Sequence, residues 1–433
     1  MRCRLHQLAT ALFISCVINT SATVLYVDLN SPNPTSPFTN WVTAAANIQD
    51  AVDAANTGDQ VLVTNGVYQA GGRTVNGFAL TNRVVINKAI TVESVSGPAL
   101  TTIRGFQVPD STNGDGAVRC VYMTNNAALI GFTLTGGATR TNVSGVLQER
   151  CGGGVWCDST NALIQNCLLL NNSAAWRGGG AANGTFSNCT FIGNAASDTG
   201  YGGGAYNSVL NGYCLIANTA NYGGGISGGI VNNCTLTNNS AFTAGGGIAN
   251  AGGDCTANNC VLVGNTAVLA GGGASSCTLS NCYMTGNTVS SGGWGGGAAY
   301  STLVNCQVIS NLALGSFGYG GGVYQSTLNN CTLVGNWAGQ FGGASYYGTL
   351  NNCVLTRNTA TYGSGGGAYY GTLNNCTLTG NWARDSGGGA YFSTLNNCII
   401  YYNNSGQYPN YYLSLPENPS IARRGVIQSC QLT

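Results

Sequence analysis

The chain has 433 residues, 67 of them glycine, with 44% hydrophobic residues, 6% charged residues and a formal net charge of +1. This balance excludes simple disorder, which couples low hydrophobicity with high net charge. It also excludes a nucleic-acid binder, which needs a basic patch to displace counterions; Lys88 is the only lysine in the sequence.

Residues 1–22 read as a secretory signal. Arg2 and Arg4 precede an apolar run from Leu8 to Ile18 that is too short to span a bilayer. The small residues Thr20, Ser21 and Ala22 place cleavage after Ala22, and Cys16 offers a looser lipoprotein alternative. No later stretch could form a transmembrane helix, so an extracellular or outer-membrane and cell-surface location is expected. Residues 23–80 read as a cap of strand, helix and strand. Trp41, Ala44, Ala45, Ile48, Val52 and Ala55 share a helical face. Gly58 ends that helix, and Val61 to Val63 start a strand. Such a helix covers strand edges that would otherwise lie open.

From 81 to 405 the sequence repeats. Ala89 to Gly105 reads as an early coil, and Ala128 to Gly136 as a degenerate one with Phe132 in the cysteine position. Regular coils carry Cys167, Cys189, Cys214, Cys234, Cys260, Cys282, Cys306, Cys331, Cys353, Cys376 and Cys398, at gaps of 20 to 26 residues. Asn precedes every one of these except Cys214, which follows Tyr213. The clearest unit runs from Gly320 to Ala338 and recurs from Gly365 to Ala383. Cys331 and Leu333 are two residues apart, so they share one face of a strand. Val323, Ala368, Ala390, Ile226 and Ile248, each following a glycine triplet, should face the same interior. Gly and Asn mark corners, since both tolerate left-handed backbone. One unit cannot bury its apolar face, but stacked units can.

These coils of about 23 residues predict an all-β fold, a single-stranded right-handed parallel β-helix solenoid with a short N-terminal capping helix. Propeller blades are longer. Left-handed helices use hexapeptide multiples, and calcium-binding nonapeptide repeats need Asp. Leucine-rich repeats need further Leu or Phe where this chain has Gly-Gly-Gly-Ala-Tyr. The last part, 406–433, reads as an irregular insertion and an incomplete coil, because Gly425 to Thr433 matches Gly371 to Thr379.

The segment from Trp41 through Ile48 and Val52, followed by Gly58 to Tyr68, resembles the opening of secreted proteins in the pectate-lyase-like superfamily. The alternation of Gly-Gly-Ala/Ile with Phe191-Ile-Gly-Asn194 resembles the repeat of polymorphic outer-membrane proteins, which are adhesins and passengers. Together the two cover most of residues 24–405. The resemblance implies the fold; the superfamily mixes polysaccharide lyases and hydrolases with adhesins.

The cysteines read as a ladder of small buried thiols rather than a disulfide framework. Cys255 and Cys277, five residues before ladder cysteines, are placed for local disulfides. No metal site or cofactor is expected; the only histidine is His6 in the signal. The glycine triplets lack the Lys and following helix of a phosphate loop. The Asn residues before Cys should stack as amide ladders.

Catalysis needs close carboxylates. Between Cys167 and Cys398 only Arg177, Asp198, Asp254, Arg357, Arg384 and Asp385 are charged. Asp198 and Asp385 are eight coils apart, and Arg177 with Asp198 reads as a surface ion pair. A cluster of Asp110, Asp115, Arg119, Glu149 and Arg150 is the one candidate for a polysaccharide lyase or glycoside hydrolase site, and no catalytic residue is assigned. Binding residues are clearer. Trp156, Tyr206, Tyr324, Tyr369 and Tyr391 follow inward residues and should face out, as should Trp337 and Trp382 after the corner Asn. Exposed aromatic rows suit sugar rings or protein partners, and they equally suit stacking between coils. The expected function is a non-catalytic adhesin-like or glycan-binding protein with polysaccharide or a host or neighbouring-cell surface as partner. A passive spacer of a longer surface protein is a further alternative.

Overall fold

The computed structural model describes residues 22–141, 146–197, 199–250, 254–290 and 292–412. The expected signal core, Asp198 and the incomplete last coil lie outside these residues.

At the N-terminal end, β1 (Val24–Val27) pairs in parallel with β2 (Gln60–Val63). Between them runs α1 (Ile48–Ala54). Its start is set by Asn47, whose Oδ1 accepts the Asp50 N–H at 2.9 Å, an N-cap that satisfies an orphan donor. The cap shortens the expected helix, and Trp41–Thr43 forms a separate 3-10 turn. Ala44, Ala45, Ile48, Val52 and Ala55 are buried as the periodicity implied. Trp41 is not: it is 42% exposed and rests on Tyr26.

Beyond the cap the chain winds as an all-β, right-handed parallel β-helix. Every described strand pairing is parallel and joins equivalent residues of adjacent coils, as Val323 with Ser345, Ser345 with Ala368 and Ala368 with Ala390. Most regular coils carry four short strands, and in the coils that begin at Ala205 and Ile226 the first three run together as one. One coil shows Val323–Tyr324, Thr327–Asn329, Thr332–Val334 and Trp337–Ala338. The first three stack into one continuous sheet, and the fourth stacks into a separate sheet of 11 strands. The corners explain the count. Left-handed residues recur at every fifth position: Gly320, Gln325, Asn330 and Gly335, then Gly342, Tyr347, Asn352 and Arg357.

In each triplet only the first glycine needs its backbone freedom. Gly320 has φ +65°, whereas a Cβ on Gly321 would meet the Trp337 carbonyl oxygen at 2.3 Å. Coils therefore approach too closely there for any side chain.

The interior holds Leu328, Leu333, Val323 and Cys331 and their equivalents, all essentially inaccessible. The cysteine ladder is present with one correction. Cys214 is not a rung. Tyr213 pairs with Cys234 and Cys214 with Thr235, so Tyr213 occupies the ladder position with φ +134°. The spacing from the glycine triplet shows why: Cys331 and Cys376 lie eight residues after Val323 and Ala368, but Cys214 lies nine after Ala205. Cys255 and Cys277 form a disulfide between adjacent coils, with Cα atoms 4.9 Å apart. The remaining described cysteines are free thiols.

A second ladder runs beside the first. Asn172, Asn194, Asn218, Asn239, Asn265, Asn287, Asn311, Asn336, Asn358, Asn381 and Asn403 are all buried. The Asn336 Nδ2 donates to Asn358 Oδ1 at 2.9 Å and to the Val308 carbonyl at 2.8 Å, while its backbone N–H donates to the same Oδ1 at 2.9 Å. The Asn residues before Cys also stack, on the surface, as between Asn352 and Asn330 at 3.2 Å.

Candidate functional site

Three outward columns meet on one face of the solenoid. The first is the residue before each glycine triplet: Arg177, Tyr201, Tyr222, Ala244, Ala270, Trp294, Tyr319 and Phe341 pair successively. The second is the residue that follows the inward one: Trp156, Ala182, Tyr206, then small residues, then Tyr324, Tyr346, Tyr369, Tyr391 and Tyr412. The third is the left-handed corner, held by Tyr347, Tyr370 and Phe392.

In the C-terminal coils the second column is a stack. Tyr324, Tyr346 and Tyr369 lie 5.2 Å apart, centroid to centroid, with interplanar angles of 6°. Tyr391 and Tyr412 continue it at 5.2 and 5.1 Å. Both faces of each inner ring are thus covered by neighbours, which leaves ring edges and hydroxyls for solvent. Burial pushes the Tyr324 and Tyr346 hydroxyls up to about 12, so both remain donors at neutral pH. The corner column stacks in the same way, Tyr347 on Tyr370 at 5.2 Å and Tyr370 on Phe392 at 5.1 Å. Tyr347 and Tyr370 remain 47% and 39% exposed.

The expected binding residues separate into three places. Tyr324, Tyr369 and Tyr391 belong to the stack. Trp156 and Tyr206 lie at the other end of the same face. Trp156 does not face solvent; it is 7% exposed, because Val85, Tyr122 and Ala182 pack around it with Trp176 and Val75 alongside. Its Nε1–H donates to Asp158, which also accepts from the Tyr122 hydroxyl. Trp337 and Trp382 lie on the separate sheet, two coils apart with Thr359 between them. Sequence reading missed Tyr346, whose coil lacks a full triplet, and the corner aromatics Tyr347, Tyr370 and Phe392. The five-residue corner spacing was the available signal.

The charged cluster expected around Asp110 to Arg150 divides into separate interactions. Asp115 and Glu149 both pair with Arg140, at 2.9 and 2.7 Å. Arg119 is fully buried and donates to the Gly152 and Cys151 carbonyls and Asn82 Oδ1, each at 2.8 Å, and burial pulls it down to about 10. Asp110 is exposed in a turn, and Arg150 turns to Trp176. Arg177, expected to pair with Asp198, lies 3.9 Å from the Trp176 ring centroid and 4.8 Å from that of Tyr206.

A cavity of about 450 Å³ lies under the cap, where Ile48, Asp50, Tyr68, Arg73 and Arg83 are among its lining residues. Asp50 is the only carboxylate in that lining, whereas glycoside hydrolysis takes two. Among the described residues no group of three or more His, Cys, Asp or Glu could hold a metal ion, and no helix is long and apolar enough to cross a membrane.

The class that this fold defines is the right-handed parallel β-helix. No protein-family model and no curated protein matches the chain. Solved structures similar in architecture include an alginate lyase from Paenibacillus sp. str. FPU-7, at 14% identity over 69% of this chain and 91% of that one, with a TM-score of 0.35. The A-module of the mannuronan C-5 epimerase AlgE4 from Azotobacter vinelandii matches at 14% identity over 90% and 100% of the two chains, with a TM-score of 0.35. The Dettilon tailspike protein matches at 12% identity over 82% and 67%, with a TM-score of 0.38. At these values the likeness carries nothing about activity.

Proposed function

We propose that this is an exported, surface-associated or secreted β-helix that binds glycan without cleaving it, along the aromatic face from Tyr206 to Tyr412. The observation that carries the reading is at the corners. Tyr347, Tyr370 and Phe392 have φ of 52°, 51° and 47°, a region that costs L-residues roughly 1–2 kcal/mol. Equivalent corners in earlier coils hold Asn183 and Asn207, which adopt it more cheaply. Three successive coils therefore keep an aromatic side chain where Asn would be easier, and strain of this kind gathers at binding surfaces. The exposed corner rings and the hydroxyl edges of the stack offer apolar contact and hydrogen bonds together, the combination that sugars need.

The test is the triple variant Tyr347→Asn, Tyr370→Asn and Phe392→Asn, compared with the parent protein on an array of neutral and anionic glycans. We expect at least tenfold weaker retention, with the β-sheet circular dichroism and melting temperature held or raised. Undiminished retention would sink the reading, as would release of oligosaccharide products by the parent protein.

A further inference from the structure

The N-terminal end of the same face carries two cations that make no ion pair among the described residues. Arg150 closes the short helix α2 (Leu147–Arg150), and Arg177 lies in the column between Cys151 and Tyr201. The backbone ladder fixes both: the Trp176 N–H donates to the Arg150 carbonyl at 3.0 Å and the Gly152 N–H to the Arg177 carbonyl at 2.8 Å. Both guanidiniums lie against one indole, at 5.2 Å and 3.9 Å from the Trp176 centroid. Tyr206 and Tyr201 flank Arg177 at 4.8 and 5.6 Å.

Among the described residues, the ion pairs are Arg73 with Asp53 and Arg140 with Asp115 and Glu149. None involves Arg150 or Arg177. Glu149, although adjacent in sequence to Arg150, is committed to Arg140 and to the Ala79 N–H. The nearby Cys151 thiol supplies no counter-charge, since burial pushes it up to about 11. The Nε atoms of Arg150 and Arg177 are enclosed without a hydrogen-bond partner, which leaves two donors unsatisfied. Stacking uses the flat face of a guanidinium and leaves its N–H edge free for a planar or tetrahedral oxyanion. Two like charges held on one ring repel, and an oxyanion bound to both would relieve that repulsion through charge-assisted hydrogen bonds.

We infer that Arg150, Trp176 and Arg177 form an oxyanion site for a sulfate ester or carboxylate carried on a glycan. This rests on the glycan-binding reading and extends it. Tyr206, beside Arg177, shares its outward column with Tyr324 five coils on, a separation of roughly 24 Å along the stack. One extended chain could place an anionic group on the arginines and lie across the aromatic strip.

The experiment titrates the full chain with dextran sulfate, polygalacturonate, neutral dextran and inorganic sulfate by calorimetry. The variants are Arg150→Gln with Arg177→Gln and, as a charge-preserving control, Arg150→Lys with Arg177→Lys. The glutamine pair should lose tenfold or more in affinity for one or both anionic polymers and lose the salt dependence, with neutral dextran binding unchanged. The lysine pair should fall between, and the tighter polymer identifies sulfate or carboxylate as the group bound. Parent-like affinity of a folded glutamine pair for both anionic polymers would overturn the inference and leave the aromatic strip standing. If no polymer binds, the glycan reading fails, and inorganic sulfate decides the site alone: binding abolished by the glutamine pair supports it, and equal or absent binding overturns it.

Discussion

The Asn336 side chain carries four hydrogen bonds, two accepted and two donated. Its Oδ1 accepts the backbone N–H and the side-chain Nδ2 of Asn311, both at 3.0 Å, while its own amide donates to Val308 and Asn358. The residue is fully buried, so each bond satisfies a group that water cannot reach. Truncation to Asn336→Ala strands the Asn311 N–H, and should cost about 2 kcal/mol by the usual penalty for an unpaired buried group. Urea denaturation checks this; a loss below about 1 kcal/mol would show that the ladder re-pairs around the gap. The same residue reads as a corner in the sequence, and Gly335 before it does turn left-handed. What the pattern could not show is that the turn points the amide inward.

At the level of strands, register is set by repetition and is broken where a repeat drifts. The long strand Ala205–Ile216 pairs with Ile226–Thr237 residue for residue. That register forces Tyr213 into the rung held elsewhere by cysteine, where it is 53% exposed and left-handed in sign. Replacing Tyr213→Cys together with Cys214→Thr restores the pattern of the neighbouring coil. Burial of a small apolar side chain and relief of the backbone should stabilise the protein by about 2 kcal/mol. The urea midpoint of this double variant is the measurement, and an unchanged or lower midpoint contradicts the register argument. The aromatic columns obey the same rule. Tyr324, Tyr346 and Tyr369 stack because in-register coils place equivalent rings about 4.8 Å apart along the axis, near the contact distance of aromatic faces. Their sequence spacing reveals the column, but only the register reveals that the rings cover one another and present edges.

Across the whole molecule the buried thiols link stability to pH. Burial raises Cys120 and Cys234 to about 12 and Cys151 to about 11, from an ordinary value of 9.0. A group whose folded value is raised contributes stability that is complete below the unfolded value and is lost as pH climbs toward the folded one. Above pH 9 the unfolded chain sheds these protons and the native chain keeps them. Each thiol then costs about 1.4 kcal/mol per pH unit, up to its own folded value. Arg119, pulled down to about 10, works in the opposite sense above that pH and offsets about one thiol. The urea midpoint should therefore fall steeply between pH 8.5 and 10 and less steeply beyond; a flat or rising profile would refute the burial of neutral thiols. The sequence by itself determined the solenoid, its strand direction and the inward set of Cys331, Leu333 and Val323, because a repeat that cannot bury its own face has to stack. It also marked Cys255 and Cys277 as places for one or two local disulfides. Only the tertiary structure decided which cations stack on the Trp176 indole, that Trp156 is covered, that Cys255 and Cys277 pair with each other and that Cys214 is out of register. These depend on contacts between coils far apart in sequence, whose direction a one-dimensional pattern does not contain.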